Sequence, residues 1–105
     1  MRESTVEARL KREIEKRGGL CIKFVSPGYT GVPDRIVLMR GGFVAFVETK
    51  APGEKERKRQ QYVQSMLRRF GLAVYSTVDT PEKAAEVAED CLRRSQAKRK
   101  QEEKP

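Results

Sequence analysis

Three residues in the stretch "GVPDRIVLMRGGFVAFVETK", positions 31–50, have the types and spacing to do chemistry: Asp34, Glu48 and Lys50. They flank two otherwise apolar runs, where charge normally costs stability. Side chains alternate along a strand, so Glu48 and Lys50 share one face and Thr49 takes the other. Asp34 joins Glu48 only if the two lie opposite each other in a hairpin, which needs an odd loop "RGG" with Met39 opposite Phe43. A two-residue Gly-Gly turn instead places Asp34 opposite Thr49. Two converging carboxylates repel, and one nearby ammonium does not neutralise both, whereas a divalent cation does. Magnesium takes one or two protein carboxylates and keeps its other positions for water and a phosphate oxygen. Lys50 would then stabilise charge on the attacking water or on a five-coordinate phosphorus. That chemistry is phosphodiester hydrolysis without a histidine base.

A plainer reading exists. Glu-x-Lys occurs at Glu48, at Glu56 and at Glu102, so the tripeptide alone carries little. Asp34 can equally cap the loop after Pro33, with Glu48 paired to Lys50 or Arg35 at a sheet edge. What sets the first copy apart is its place at the end of an apolar strand, with one of three aspartates heading the partner strand.

Composition narrows the options. At 105 residues the chain has room for one core. Its 23 basic and 15 acidic side chains leave a net charge of +8, which favours a polyanionic partner, nucleic acid foremost. No apolar run approaches the roughly 18 residues of a membrane span, and the N-terminus lacks the apolar core of a signal peptide, so the chain reads as cytoplasmic. The absence of histidine removes histidine-based nucleases and Ser/His/Asp hydrolases, and two cysteines make no zinc module. Cys21 and Cys91 read as small buried thiols. A metal here is held by oxygen, which suits magnesium or manganese.

The elements that must position these residues follow from periodicity. "STVEARLKREIEKRGG" predicts a helix with a Ser4/Glu7 capping box, an apolar stripe of Val6, Leu10 and Ile14, and a stop at Gly18 and Gly19. Glu3 and Glu7 project on or beside that stripe, toward the body of the protein. "LCIKFV" predicts a strand with Leu20, Ile22 and Phe24 on one face and Lys23 on the other. "DRIVLM" and "FVAFVETK" predict an antiparallel hairpin. "KERKRQQYVQSMLRRFG" predicts a helix with Tyr62 or Val63, Met66, Leu67 and Phe70 inward. Strand "LAVYSTV" leads to a helix "TPEKAAEVAEDCLRR" with Thr80 as N-cap and Pro81 at its first position. The order α-β-β-β-α-β-α gives an α/β sheet covered by helices. Residues 1–94 form the domain, and 95–105 read as a basic, disordered tail.

Together, Glu7 in the first helix, "GVPDRIV", "FVETKAPG" and "RKRQQYVQSMLRRFG" resemble the VRR-NUC domain, a branch of the PD-(D/E)xK nucleases. The resemblance runs from about Glu3 to the third helix. It implies a restriction-endonuclease-like core with a mixed central sheet and Mg2+- or Mn2+-dependent cleavage of DNA. By position, Asp34 and Glu48 bind the metal with the Thr49 carbonyl, Lys50 is the catalytic lysine, and Glu7 completes the metal site, with Glu3 as the fallback acid. Gln60, eleven positions before Gly71, matches the family's glutamine in preference to Gln61. Arg57, Lys58 and Arg59 stand as a phosphate clamp, with Lys23, Arg35 and Lys55 as further DNA contacts, and Tyr29 either stacks on a base or packs. Single-domain members resemble Holliday junction resolvases, which implies a homodimer cutting branched DNA. The alternatives are a monomer nicking flaps or DNA in general, and a DNA-binding module without catalysis.

Overall fold

A computed structural model describes residues 1–103 of the chain. Seven elements follow in the expected order: α1 (Glu3–Lys16), β1 (Leu20–Lys23), β2 (Arg35–Met39), β3 (Phe43–Thr49), α2 (Lys58–Arg69), β4 (Ala73–Val78) and α3 (Pro81–Glu102). The four strands form one sheet in the order β1-β2-β3-β4. The first two pairings are antiparallel and β3 runs parallel to β4, so the sheet is mixed. The parallel pair needs a crossover, and α2 supplies it.

The register that matters is set by the hairpin. Met39 pairs with Phe43 and Arg35 with Val47 across the three-residue loop Arg40-Gly41-Gly42, which carries Asp34 opposite Glu48. Gly41 and Gly42 both have positive φ, 82° and 77°, which a tight loop of this length requires and a side chain resists.

One face of the sheet carries the core. Cys21, Val37, Met39, Phe43, Ala45 and Val47 alternate onto it and meet Val6, Leu10 and Ile14 of α1 and Ala84, Val87, Ala88 and Cys91 of α3. Both cysteines are free and buried, and burial pushes each thiol up to about 11. Helix α1 ends as expected, with Gly18 at φ 81° and the amides of Gly18 and Gly19 bonded to the carbonyls of Glu15 and Ile14. A Cβ on Gly19 would collide with Met39 Sδ and with Ile14 and the Leu38 carbonyl near 2.9 Å, so the chain turns from α1 into β1 only through glycine.

Three expectations change, and the core side of β1, open until now, is decided. Helix α1 starts at Glu3 with Arg2 as an extended N-cap and no side-chain cap, so Ser4 lies inside the first turn and makes no capping box. Glu7 is drawn instead to a guanidinium, described below. The face shared by Leu20, Ile22 and Phe24 points away from the core; it is Cys21 that faces inward, and Leu20 and Ile22 remain 48% and 40% exposed. On α2 only Val63 and Gln64 are buried, while Tyr62 and Phe70 stand out at 52% and 72% exposure. The helix packs chiefly on β4, where Ser76 donates to Gln64 Oε1 and Arg68 donates to Ser76, so a polar residue occupies part of the stripe. Finally, α3 continues to Glu102, which makes residues 95–102 helical rather than a disordered tail. The sequence there is rich in helix formers. Ser95 is buried, and the Arg99 stem lies against Gly41 of the hairpin loop. Residues 104 and 105 of the expected tail lie outside the described residues.

Thr80 caps α3 as expected, its hydroxyl accepting from the Lys83 amide at 3.1 Å, with Pro81 at the first helical position. Among the described residues no helix is long and apolar enough to cross a membrane.

Candidate active site

The site forms where β2 begins, β3 ends and two helices turn toward the sheet. Asp34 heads β2 and reaches across to the end of β3, where its Oδ1 accepts from the Thr49 amide at 3.0 Å and its Oδ2 from the Thr49 hydroxyl at 2.5 Å. From α1, Glu3 and Glu7 each bring an oxygen to 3.3 Å from the same Thr49 hydroxyl. Glu3, Glu7 and Asp34 place one oxygen apiece within 4.8 Å of one another, close enough for a single cation to contact all three. Glu3 and Glu7 are four positions apart, about one helical turn, which is why both face this point.

Glu48 faces a neighbouring part of the site. Its Oε2 accepts from Gln60 Nε2 at 3.3 Å and lies 3.6 Å from Lys50 Nζ. Lys50 Nζ in turn donates to Gln60 Oε1 at 3.1 Å, an atom that also accepts from the Arg57 amide at 2.9 Å. Gln60 therefore joins the start of α2 to the end of β3, holding the ammonium by its oxygen and the carboxylate by its nitrogen. Gln61, the alternative, instead donates to the Glu56 carbonyl at 3.1 Å, away from this group.

The electrostatics are those of an acid cluster short of positive charge. Burial, with the Asp34 charge beside it, pushes the Glu48 carboxyl up to about 7, against the pull of Lys50. Burial likewise lifts Asp34 to about 6, aided by Glu7 and opposed by the Thr49 hydrogen bonds. Burial also works against charge on Glu7, but the Arg35 guanidinium, 2.9 Å away, holds that carboxyl below its usual range. Only oxygen ligands are present, two of the acids carry unfavourable charge at neutral pH, and the protein supplies one guanidinium to Glu7 alone. A hard divalent cation fits this donor set.

These shifts have a measurable consequence. A carboxyl whose folded-state pKa exceeds its unfolded value binds protons more tightly when folded, so stability falls as pH rises from about 4.5 toward 7. Glu48→Gln removes that loss. In the presence of a chelator, the melting temperature of E48Q at pH 8 is expected to exceed that of the wild type, by roughly 4–8 °C for each kcal/mol of relieved repulsion. At pH 4 the two are expected to converge. Calorimetry across this range checks it, and a wild-type curve no steeper than that of E48Q would refute the electrostatic account.

The remaining candidates sit around the rim. Lys23, Lys55, Arg57 and Lys58 are exposed. Tyr29 is half-exposed, with the Arg59 guanidinium 4.7 Å from its ring centre and 5.4 Å from that of Tyr62, while Arg59 Nε donates to the Thr30 carbonyl at 3.0 Å. Arg59 thus pins the 26–31 loop to α2 as well as presenting charge. Arg35, by contrast, is 12% exposed at its side chain and points inward to Glu7, which leaves little of it for a DNA backbone. The pairing of Arg35 with Glu7 had no signal in the sequence, because it joins a helix and a strand 28 positions apart.

The fold matches a known type of domain. A solved structure described as a VRR_NUC domain superposes with a TM-score of 0.75 at 27% identity, covering 83% of this chain and 94% of that one. The chain has a VRR_NUC-like fold. No family model matches the sequence. A curated protein of Acyrthosiphon pisum secondary endosymbiont phage 1, named "Putative nuclease p44", is 54% identical over 55 residues. That match covers 52% of this chain and 59% of the phage protein, so the chain spans rather more than half the length of that relative. The mixed sheet and the α-β-β-β-α-β-α order of this VRR_NUC-like domain are those the motifs imply.

Proposed function

We propose that this VRR_NUC-like domain is a Mg2+- or Mn2+-dependent endonuclease that hydrolyses DNA phosphodiester bonds, selects branched DNA such as Holliday junctions, and acts as a homodimer. The observation that carries the reading is Lys50 Nζ held 3.1 Å from Gln60 Oε1 and 3.6 Å from Glu48, beside the three-acid cluster of Glu3, Glu7 and Asp34. Asp34, Glu48 and the Thr49 carbonyl would hold the cation, with Glu7 or Glu3 completing the set. The cation would supply Lewis acidity toward the phosphate and toward water. Lys50 then lends its positive charge to the phosphate oxygens as negative charge builds on them, and Gln60 keeps the ammonium aimed. A fixed ammonium needs no rearrangement at the moment of reaction, which is where its advantage over a solvated lysine lies.

The charge of +8 and the exposed Lys23, Lys55, Arg57 and Lys58 support DNA as the polyanion, with Arg59 and Tyr29 at the edge of the site for backbone and base contact. Support for a dimer comes from the outer sheet face, where Leu20, Ile22 and Leu38 lie exposed beside the unpaired edge of β1. Two copies related by a twofold axis would bring two sites to opposed strands. A cytoplasmic location accords with a DNA substrate.

The test is cleavage of labelled four-way junctions, flaps, duplexes and single strands with Mg2+ or Mn2+, beside light scattering on a sizing column. Junction cuts on two opposed strands and twice the chain mass are the expected results. Flap nicking at the mass of one chain would favour the monomeric enzyme. If no substrate is cut although DNA is bound, the domain is a binding module.

A further inference from the structure

Strand β4 carries an irregularity opposite the reactive end of β3. Val47 pairs with Tyr75 but Thr49 pairs with Val78, so two residues of β4, Ser76 and Thr77, face the single residue Glu48. Such a bulge bends its strand and re-aims the residues around it. Within it Thr77 has φ 52°, among the described residues the one non-glycine position in the left-handed region. A β-branched residue resists that conformation more than most, so something must hold it there.

Glu56 does. Its Oε1 accepts from the Thr77 amide at 2.5 Å and its Oε2 from the Thr77 hydroxyl at 2.6 Å. This carboxylate lies in the loop between β3 and α2, and the next residue, Arg57, is the N-cap of α2. The Arg57 amide bonds Gln60 Oε1, the same atom that receives Lys50 Nζ. On the other side of the bulge, the Lys50 amide donates to the Val78 carbonyl at 2.9 Å. Two routes therefore run from the Glu56–Thr77 pair to Lys50: one through α2 and Gln60 to the ammonium, one through Val78 to the backbone.

We infer that Glu56 is a positioning residue, which by clamping Thr77 in a left-handed bulge fixes both Gln60 and the Lys50 backbone and so aims the Lys50 ammonium. This rests on the nuclease reading for its kinetic consequence but not for its structural one. Glu56 stands in the basic run "KERKR", and although it begins a second Glu-x-Lys, its partner is a threonine of the sheet rather than Lys58. Substrate need not touch it.

The rescue experiment separates a clamp from ordinary stabilisation. Glu56→Ala is expected to lower kcat roughly tenfold to a hundredfold, the range in which small misplacements of reacting groups fall, with KM for DNA little changed. Thr77→Gly, which adopts positive φ freely, is expected to keep activity near that of the wild type. The double variant Glu56→Ala/Thr77→Gly is expected to recover the part of the lost kcat that runs through the bulge and Val78 to the Lys50 backbone, because glycine no longer needs the carboxylate there, while the route through α2 and Gln60 stays unclamped. Amide hydrogen exchange of the metal-free protein supplies a readout that does not depend on cleavage: protection of the Lys50 amide falls in Glu56→Ala and returns in the double variant. Unchanged kcat and unchanged Lys50 protection in Glu56→Ala would overturn the clamp, as would a double variant no better than the single one. If the wild type cuts no DNA, the nuclease reading fails while the exchange result still decides the clamp.

Discussion

Asp34→Ala is expected to abolish metal-dependent cleavage, a loss of roughly 10²–10³-fold or more on the scale of removing one preorganised electrostatic partner from an active site. DNA affinity measured without divalent metal is expected to stay level or to rise. Both follow from position. Asp34 sits opposite Glu48 at the rim of the sheet and brings an oxygen within 4.8 Å of oxygens of Glu3 and Glu7, so it belongs to both halves of the acid cluster. Removing it leaves the proposed cation without its central ligand. It also removes a negative charge from the surface that a phosphate must approach, which is why binding does not suffer. The fold is expected to survive, because two effects oppose one another. The Thr49 amide and hydroxyl lose their acceptor, a cost of about 1–3 kcal/mol for a buried polar group. Against that, a carboxyl whose burial pushes it up to about 6 no longer has to be charged at neutral pH. Asp34→Asn is the matching control, since its carbonyl oxygen still accepts from the Thr49 amide. Cleavage assays with filter binding in chelator read both quantities. Wild-type cleavage by Asp34→Ala would remove the metal-site proposal altogether.

Leu10→Ala is expected to cost about 2–5 kcal/mol of folding stability, within the range for truncating a fully buried leucine. In a domain whose total is about 5–15 kcal/mol, that threatens the folded state itself. Leu10 is completely buried in the middle of the α1 stripe, between Val6 and Ile14, where the helix meets α3 and the sheet. The same helix carries Glu3 and Glu7 to the site, so its loosening is expected to weaken Mn2+ binding in whatever fraction stays folded. Leu38→Ala is the contrast. Leu38, a leucine of β2 with apolar neighbours along its strand, faces outward and is 37% exposed, and its loss is expected to cost less than about 1 kcal/mol. Urea titration of the two variants distinguishes them, and equal costs would mean that the outer face at Leu38 is as buried as the α1 stripe.

Much of this molecule was legible along the chain. The order of elements, the α1 stripe, the glycine stop of α1 and the Thr80 cap each depend on residues within a few positions of one another, and local rules suffice for them. The hairpin register was legible only as a choice between two loops, and the three-residue loop decided it. Where local rules failed, a distant partner had intervened. Glu7 fits a capping box with Ser4, but Arg35 and Thr49 take its carboxylate. Val63 rather than Tyr62 takes the inward place on α2, and Phe70 fits the stripe too, but that helix packs chiefly on β4 and leaves Tyr62 and Phe70 outside. The polar run after Arg94 contains nothing to anchor it, yet Arg99 finds the bare backbone of Gly41.

By itself, then, the sequence determined which chemistry was possible: oxygen ligands and an amine, no histidine, a basic surface, and a strand ending in Glu-Thr-Lys. Those are properties of residue type and near spacing. Tertiary structure alone decided which acids share a point in space, that Arg35 turns inward to one of them, and that Thr77 is bent under Glu56. Each of these joins segments more than a dozen residues apart, and such meetings are settled by how helices and strands pack rather than by any pattern along the chain.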